Sequence, residues 1–559
     1  MRRRLWRTET GLFLGIWLVL MVTGRSRLLR DPGTFWHTVL GQQIIERGEF
    51  VWTDSFSFTC TGQPWIARQW LGECVMALLH QWAGLDGLLV ATVTILAALY
   101  AWVGSRLIRG GMTGGLAILL TVLTMAASAY HFHARPHLST IILLGWTFAR
   151  LCDFDSGRVS VRSLFWLVPV FAVWMNIHDG VVGGLATLVL VVAGWVAVAA
   201  VGRLTGRDRA WLPLVPAGIA TTVQRNVANA DDGTESRLPA RTVSPAEDGP
   251  ECPSCVSNQP PFLMLALLVL GCGATALLTP YGSEVPRAWF TILNSPVVGQ
   301  LMDEHRPLIE SSECWFVLLF AGIYVAALAG VGPHRLRVTW LIPLVWLYLA
   351  WTRIRHGPLF AITAVIALAE MWPHVAWVRW LDRHKSALFH LRSPDPGAAM
   401  SDVQNPWDWQ WLAVPFALLL GVAGLQTASV EAPVVGRGWA QLDRTHWPVD
   451  LLPELRRYER EHPPGTPIFN DMLFGGFLIY HTPGLRVFID DRCELYGDEF
   501  LQAYVDAMSD DAQIDRWAQQ YGFDLALVTP GSAFDSYLIH AAGWRRQGES
   551  TAARLYLRE

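Results

Sequence analysis

The sequence predicts a mainly α-helical polytopic membrane protein, with about 11 transmembrane helices and a small C-terminal soluble α/β domain. Three observations carry this. Of 559 residues, 52% are hydrophobic and only 16% charged, where a soluble globular chain averages about 25% charged. Apolar stretches of membrane-spanning length recur along the first three quarters of the chain. Beyond about residue 448 the pattern changes to short strands alternating with amphipathic helices.

The expected spans run near 10–27, 85–107, 112–130, 137–152, 163–177, 180–202, 261–280, 312–331, 338–352, 358–378 and 410–428. The first combines a basic start (MRRR) with an apolar run, as a signal peptide does. No small-residue cleavage motif follows it, so it reads as a retained helix. Residues 70–83 are too short to span and suit an interfacial amphipathic helix.

Basic residues in the short loops set the orientation. Arg106, Arg109, Arg158, Arg162, Arg335, Arg337 and the arginines of 203–209 and 379–392 fall on one side, which the positive-inside tendency makes cytoplasmic together with the N-terminus. The expected organisation is a membrane domain over 1–428, with an outer first loop at 28–84, and an extracytoplasmic α/β domain over 429–559. The inner insert 222–260 is polar and rich in Pro, Ser, Gly, Asn and Asp, which predicts disorder. In the C-terminal domain, strands are expected at PIFND, RVFIDD, LALVT and ARLYLRE, in a small, mostly parallel sheet.

Composition also excludes. A net charge of −4 gives no electrostatic footprint for nucleic acid. Lys385 is the only lysine, so the arginine content reads as compositional bias rather than phosphate binding. Cys252 and Cys255 form a lone CxxC without the second pair that structural zinc needs. Walker, GxSxG and HExxH motifs are absent, as is GxGxxG in a strand–helix context.

Under this topology the polar patches fall on the outer face: the first loop, HFHARPH (131–137), NIHDG (176–180), the loop 280–307 and RIRHG (353–357). Asp31 precedes Pro32 and can cap a helix bearing Phe35, Trp36, Val39, Leu40, Ile44 and Ile45. A capping carboxylate can still turn one oxygen to a substrate. His37 on the same helix joins the candidate substrate contacts. Arg135 suits bidentate phosphate binding at headgroup depth, and snorkelling is the plainer alternative. His178 and Asp179 sit where ionisable groups are costly unless they face a cavity. Arg353 and Arg355, placed against the positive-inside tendency, call for an anionic partner. The cluster 303–306 reads more simply as a solvated loop. In the C-terminal domain, Gly475 and Gly476 suit tight packing, and Asp490 stands at a strand's C-terminal end, where α/β domains place functional groups.

The run DPGTFWHTVLGQQIIERGEFVWTDSFSFTCTGQPWIARQWLGE (31–73), with RPH (135–137), WMNIHDG (174–180), TPYG (279–282) and FNDMLFGGFLIY…VFIDDRCELYG (469–497), resembles a set of multi-pass bacterial membrane proteins of planctomycete type. That set in turn resembles the GT-C superfamily of polyprenyl-phosphate-dependent glycosyltransferases. The resemblance implies a GT-C-like enzyme in a bacterial cytoplasmic membrane, moving a sugar from a polyprenyl-phosphate donor to an acceptor at the outer face. It implies Asp31 as general base, or as a ligand where a metal is used, and Arg135, Arg353 and Arg355 as donor-phosphate contacts. Many GT-C enzymes pair two acids in this loop. Here Gly33 stands where the second would be, so a divalent metal is not supported by a paired-acid motif, and Asp54 or Asp179 are the candidates for a second carboxylate. Two other classes fit the outline. One is a flippase or transporter of a lipid-linked glycan, for which Glu370 is the acid in an apolar run. The other is a non-catalytic scaffold that presents the C-terminal domain.

Overall fold

The computed structural model describes residues 7–204, 216, 261–384, 412–508 and 513–559. The insert 222–260, with Cys252 and Cys255, lies outside the described residues. A helix forms at each apolar stretch, from Thr8–Thr23 to Ala413–Thr427. By length and composition, 4 helices are suited to cross a membrane: Trp70–Arg109, Gly114–His131, Val181–Gly202 and Ile354–His374. Others are shorter than their apolar stretch. Ile342–Thr352 has 11 residues, which is about 17 Å of helix against a hydrocarbon core of about 30 Å. Apolarity marks the stretch, but its ends unwind into 3-10 turns and loops, such as Val338–Leu341 and Ile354–His356. The helices therefore do not by themselves establish a count of eleven spans.

The helix Trp70–Arg109 is broken at Ala83 and Gly84, and Gly84 adopts φ 61° and ψ −143°. Only glycine takes that backbone without strain, so residues 70–82 form a separate arm before the long apolar helix begins. This arm packs against Gly33–Arg47, the helix that follows Asp31.

The C-terminal unit holds a five-stranded sheet: β1 (Thr466–Asn470), β2 (Leu485–Val487), β3 (Leu525–Val528), β4 (Trp544–Glu549) and β5 (Arg554–Arg558). The order is β2-β1-β3-β5-β4. β1 pairs in parallel with β2 and β3, whereas β5 pairs antiparallel with β3 and β4. The sheet is thus mixed rather than mostly parallel. The sequence pattern hides β4, because Trp544 is its only buried residue and Arg545, Arg546 and Glu549 are exposed. The segment RVFIDD is strand only to Val487. Residues 488–492 then leave the sheet and turn toward the first loop.

Those residues make the joint between the two parts of the chain. Arg492 is buried and bonds Asp490 through Nε (2.9 Å) and Nη2 (2.6 Å). Its Nη1 pairs with Asp54 of the first loop at 2.8 Å. Its guanidinium carbon lies 4.7 Å from the Trp65 ring centre, 5.2 Å from Phe56 and 5.9 Å from Trp36, a set of cation–π contacts in a desolvated site. The loop also covers the sheet edge: Phe58 N–H donates to Val487 O (3.0 Å), and Val487 N–H donates to Phe56 O (3.1 Å). On the other side, helix Gly475–His481 sits so close to Pro32 that a Cβ on Gly476 would lie 2.2 Å from the Pro32 carbonyl oxygen.

Arg25 and Arg30, which follow the first helix, are absorbed by this packing. Arg25 donates to Trp439 O (3.1 Å) and stacks on the Trp439 ring, and Arg30 pairs with Asp443.

Removing one partner of a buried ion pair costs about 3–5 kcal/mol. Arg492→Ala is predicted to lower the thermal midpoint of the full chain in detergent by several degrees and to open the C-terminal unit to limited proteolysis. An unchanged midpoint and digestion pattern contradict the joint.

Candidate active site

Beside this joint lies a cavity of ≈ 2080 Å³. Asp31, Arg135, His178, Asp179, Arg353 and Arg355 all line it. His37 does not. It is fully buried, with Nδ1 2.9 Å from Glu73 Oε1, and it serves the packing of the arm against its helix. Its ring centre lies 3.6 Å from that of Trp36, and both side chains are buried.

Asp31 has both oxygens engaged. Oδ1 accepts the Gly33 N–H at 2.7 Å, closing the first turn of Gly33–Arg47, and Oδ2 accepts Arg135 Nη1 at 3.0 Å. Burial raises its carboxyl, but the Arg135 charge, with help from His133 and His137, outweighs this and leaves it below its ordinary value. Gly33 is part of the same arrangement: a Cβ there would lie 2.6 Å from Arg135 Nε and 2.9 Å from Asp31 Oδ1. The position that departs from a paired-acid motif is therefore the space in which the guanidinium lies.

A second carboxylate does face this guanidinium, and it comes from the C-terminal unit. Asp491 Oδ2 lies 3.9 Å from Arg135 Nη1, while Oδ1 accepts the Trp36 indole N–H at 2.7 Å. Oδ2 is buried and has no hydrogen-bond partner among the described residues. Burial pushes the Asp491 carboxyl up to about 7. Arg135 opposes the rise, and the neighbouring charges of Asp31 and Asp490 reinforce it.

The remaining candidates divide. Asp179 accepts Arg68 Nε (2.9 Å) and Trp289 Nε1 (2.8 Å), and Arg68 continues to Glu494 at 3.0 Å, so Asp179 braces the cavity wall. His178 Nδ1 accepts the Gly180 N–H at 2.9 Å and meets Thr140 Oγ1 at 2.9 Å. Burial holds its imidazole well below its ordinary value, and so neutral. Arg355 pairs with Glu304 at 3.0 Å, whereas Arg353 is exposed and has no ion-pair partner among the described residues. Glu304 lines the cavity as well and is no bystander in a solvated loop. Burial raises its carboxyl, and Arg355 and the neighbouring cationic groups more than offset that. Asp54 is a joint residue, committed to Arg492 and to Ser57.

Two features were not recognised from sequence. Asp491 carried only the signal of a strand end in IDDRCE, shared with Asp490 and Arg492. Arg68 sits in a loop whose partners, Asp179 and Glu494, are far along the chain. Glu370 pairs with Arg106 (2.9 Å) and Arg158 (2.5 Å) at the end of Gly357–Met371 remote from the cavity. Among the described residues no group of three or more His, Cys, Asp or Glu side chains is arranged to hold a metal ion.

No family model and no curated protein sequence matches the chain. Among solved structures it is similar to ArnT from Cupriavidus metallidurans in the apo state, at 13% identity and a TM-score of 0.47, over 98% of this chain and 97% of that one. The same protein bound to undecaprenyl phosphate gives 13% and 0.46 over the same shares. The Archaeoglobus fulgidus oligosaccharyltransferase tethered to an acceptor peptide gives 12% and 0.46, over 93% of this chain and 68% of that one. The chemistry is therefore read from this chain's own side chains.

Gly33→Ala is predicted to push Arg135 off Asp31 while leaving the helix intact, since alanine is favourable there. The thermal midpoint should stay within about 2 °C, because the clash is with the far end of a flexible side chain. Any activity of the cavity should fall at least ~10-fold, about the worth of one charged hydrogen bond. Full activity in this variant contradicts a role for the Arg135–Asp31 pair.

Proposed function

We propose that the chain is a membrane glycosyltransferase that moves a sugar from a polyprenyl-phosphate donor to an acceptor at the outer face of the cytoplasmic membrane. One observation carries this reading: a single cavity joins a long apolar groove to a charged head. Helix Thr8–Thr23 lines the cavity with Thr8, Leu12, Ile16, Val19, Leu20 and Thr23. These recur at helical spacing over its 16 residues, a length of about 24 Å. Gly11 and Gly15 widen the groove, with nothing within 4 Å of where a Cβ would stand. Ile118, Val122 and Met125 of Gly114–Ser128 supply further apolar lining. Such a groove suits an extended isoprenoid or acyl chain at membrane depth. Its charged end presents Arg353, Arg355 and Arg135 around one chamber with Asp31 and Asp491.

The chemistry follows from these groups. Attack by an acceptor hydroxyl on the anomeric carbon needs a carboxylate to take the hydroxyl's proton. The bond that breaks releases a polyprenyl phosphate, a good leaving group, and guanidinium groups stabilise the charge that develops on it without a general acid. Of the arginines at this end, Arg353 has no carboxylate partner among the described residues and is assigned to the donor phosphate. A cavity walled by ion pairs at one end of the helices, with Glu370 neutralised at the other, favours this reading over a flippase, whose ionisable groups belong near the midplane.

The full chain in membranes, incubated with radiolabelled undecaprenyl-phosphate sugars, should yield a labelled product that no longer partitions with the donor lipid. Arg353→Ala should raise the donor KM ~10–100-fold, the worth of one charged hydrogen bond, with the thermal midpoint unchanged. Translocation of the donor without covalent change contradicts the transferase reading and supports a transporter.

A further inference from the structure

We propose that Asp491, supplied by the C-terminal unit, is the carboxylate that takes the acceptor's proton, and that Asp31 is a positioning residue that holds Arg135. This rests on the glycosyl-transfer reading above and changes its base.

The geometry separates the two acids. Asp31 accepts the Gly33 N–H on Oδ1 and Arg135 on Oδ2, so each of its oxygens already has one lone pair committed and the carboxylate is held in place from both sides. Asp491 is anchored through Oδ1, by the Trp36 indole, and its Oδ2 is a buried acceptor with no hydrogen-bond partner among the described residues, Arg135 standing 3.9 Å away. A buried oxygen left without a hydrogen bond carries the cost of its lost hydration. That cost is relieved when a hydroxyl donates to it, which makes it a ready-made seat for an acceptor. Asp491 lines the cavity together with Asp31, Arg135 and Arg353, so an acceptor held there reaches the same chamber as the donor's phosphate.

The charges facing Asp491 suit a base. Arg135 faces it from the loop 131–137 and Asp31 from the start of Gly33–Arg47; on its own segment Asp490 and Arg492 flank it, closed on each other. With its carboxyl raised to about 7, Asp491 is more basic than Asp31 and is still ionised in a large share of molecules at neutral pH. In the step itself, the acceptor oxygen forms a bond to the anomeric carbon as the bond from that carbon to the phosphate oxygen breaks. The bonding pair leaves with the polyprenyl phosphate, and the hydroxyl proton passes to Asp491 Oδ2.

The test compares pH profiles of kcat/KM for the full chain in lipid nanodiscs with a labelled undecaprenyl-phosphate sugar. Infrared difference spectra, which need no donor, are recorded beside them. The wild type should show activity falling as pH drops through about 7, and a protonated-carboxyl band that appears over the same range. Asp491→Asn keeps the Trp36 contact, and should lose both the band and the limb, with kcat/KM down ~10²–10⁴-fold. Asp491→Glu should restore part of the activity and a displaced limb. Asp31→Asn should keep band and limb but move both to lower pH, because a negative neighbour is lost and Arg135 turns fully to Asp491. The assignment is overturned if Asp491→Asn keeps the limb, or if Asp31→Asn abolishes it. A wild type that transfers from no polyprenyl-phosphate donor overturns the transferase reading and the base assignment with it. A wild type that transfers while Asp491→Asn matches it overturns the base assignment alone.

Discussion

The buried Arg492 guanidinium is the constraint on which the rest of the molecule depends. A fixed positive charge out of water is tolerated only with excellent partners, and Arg492 draws them from both parts of the chain: Asp490 beside it, Asp54 across the joint, and three aromatic rings of the first loop and its helix. Satisfying it locks the loop onto the edge of β2 and brings helix Gly475–His481 against Pro32. Asp491, the preceding residue, is then delivered to the cavity. The C-terminal unit is thus built into the chamber rather than tethered beside it, which weakens a purely presentational role for it.

Around that joint, one guanidinium serves two acids at unequal distances. Arg135 lies 3.0 Å from Asp31 and 3.9 Å from Asp491. Arg135 holds these two acids unequally, and their environments push them apart. Asp31, bonded to Arg135, stays ionised; Asp491, raised first by burial and then by its negative neighbours, holds its proton to higher pH. Two acids driven apart in this way permit a division between orienting a cation and moving a proton. Gly33 makes the arrangement sterically possible, since the space beside Asp31 must stay empty for Arg135 to enter it.

Much of this was legible in the sequence. A helix forms at each apolar stretch, because a run with few charges satisfies its backbone by internal hydrogen bonding, whereas Glu284–Asn294 forms inside a stretch that reads as a loop. Asp31 as a capping acid, His178 and Asp179 as costly ionisable groups, and Arg135, Arg353 and Arg355 as contacts to an anion are all legible in the sequence, and the fold brings them to one cavity. What was not legible depended on partners remote in the chain. His37 reads as a substrate contact because it lies on the helix that follows Asp31, but its partner Glu73 lies 36 residues on and buries it. Glu304 read as solvated because its partner Arg355 lies 51 residues on. Asp491 is separated from Asp31 by 460 residues, and no local pattern encodes that meeting. The strand β4 escaped because an edge strand with a single buried side chain has no alternation to read.

A double-mutant cycle on kcat/KM between Arg135→Lys in the membrane part and Asp491→Asn in the C-terminal unit tests most directly whether the two parts form one catalytic chamber. If they share it, the two losses are coupled by more than ~1 kcal/mol, as for contacting groups in one charge network. Losses that add within ~0.5 kcal/mol, as for independent sites, contradict it.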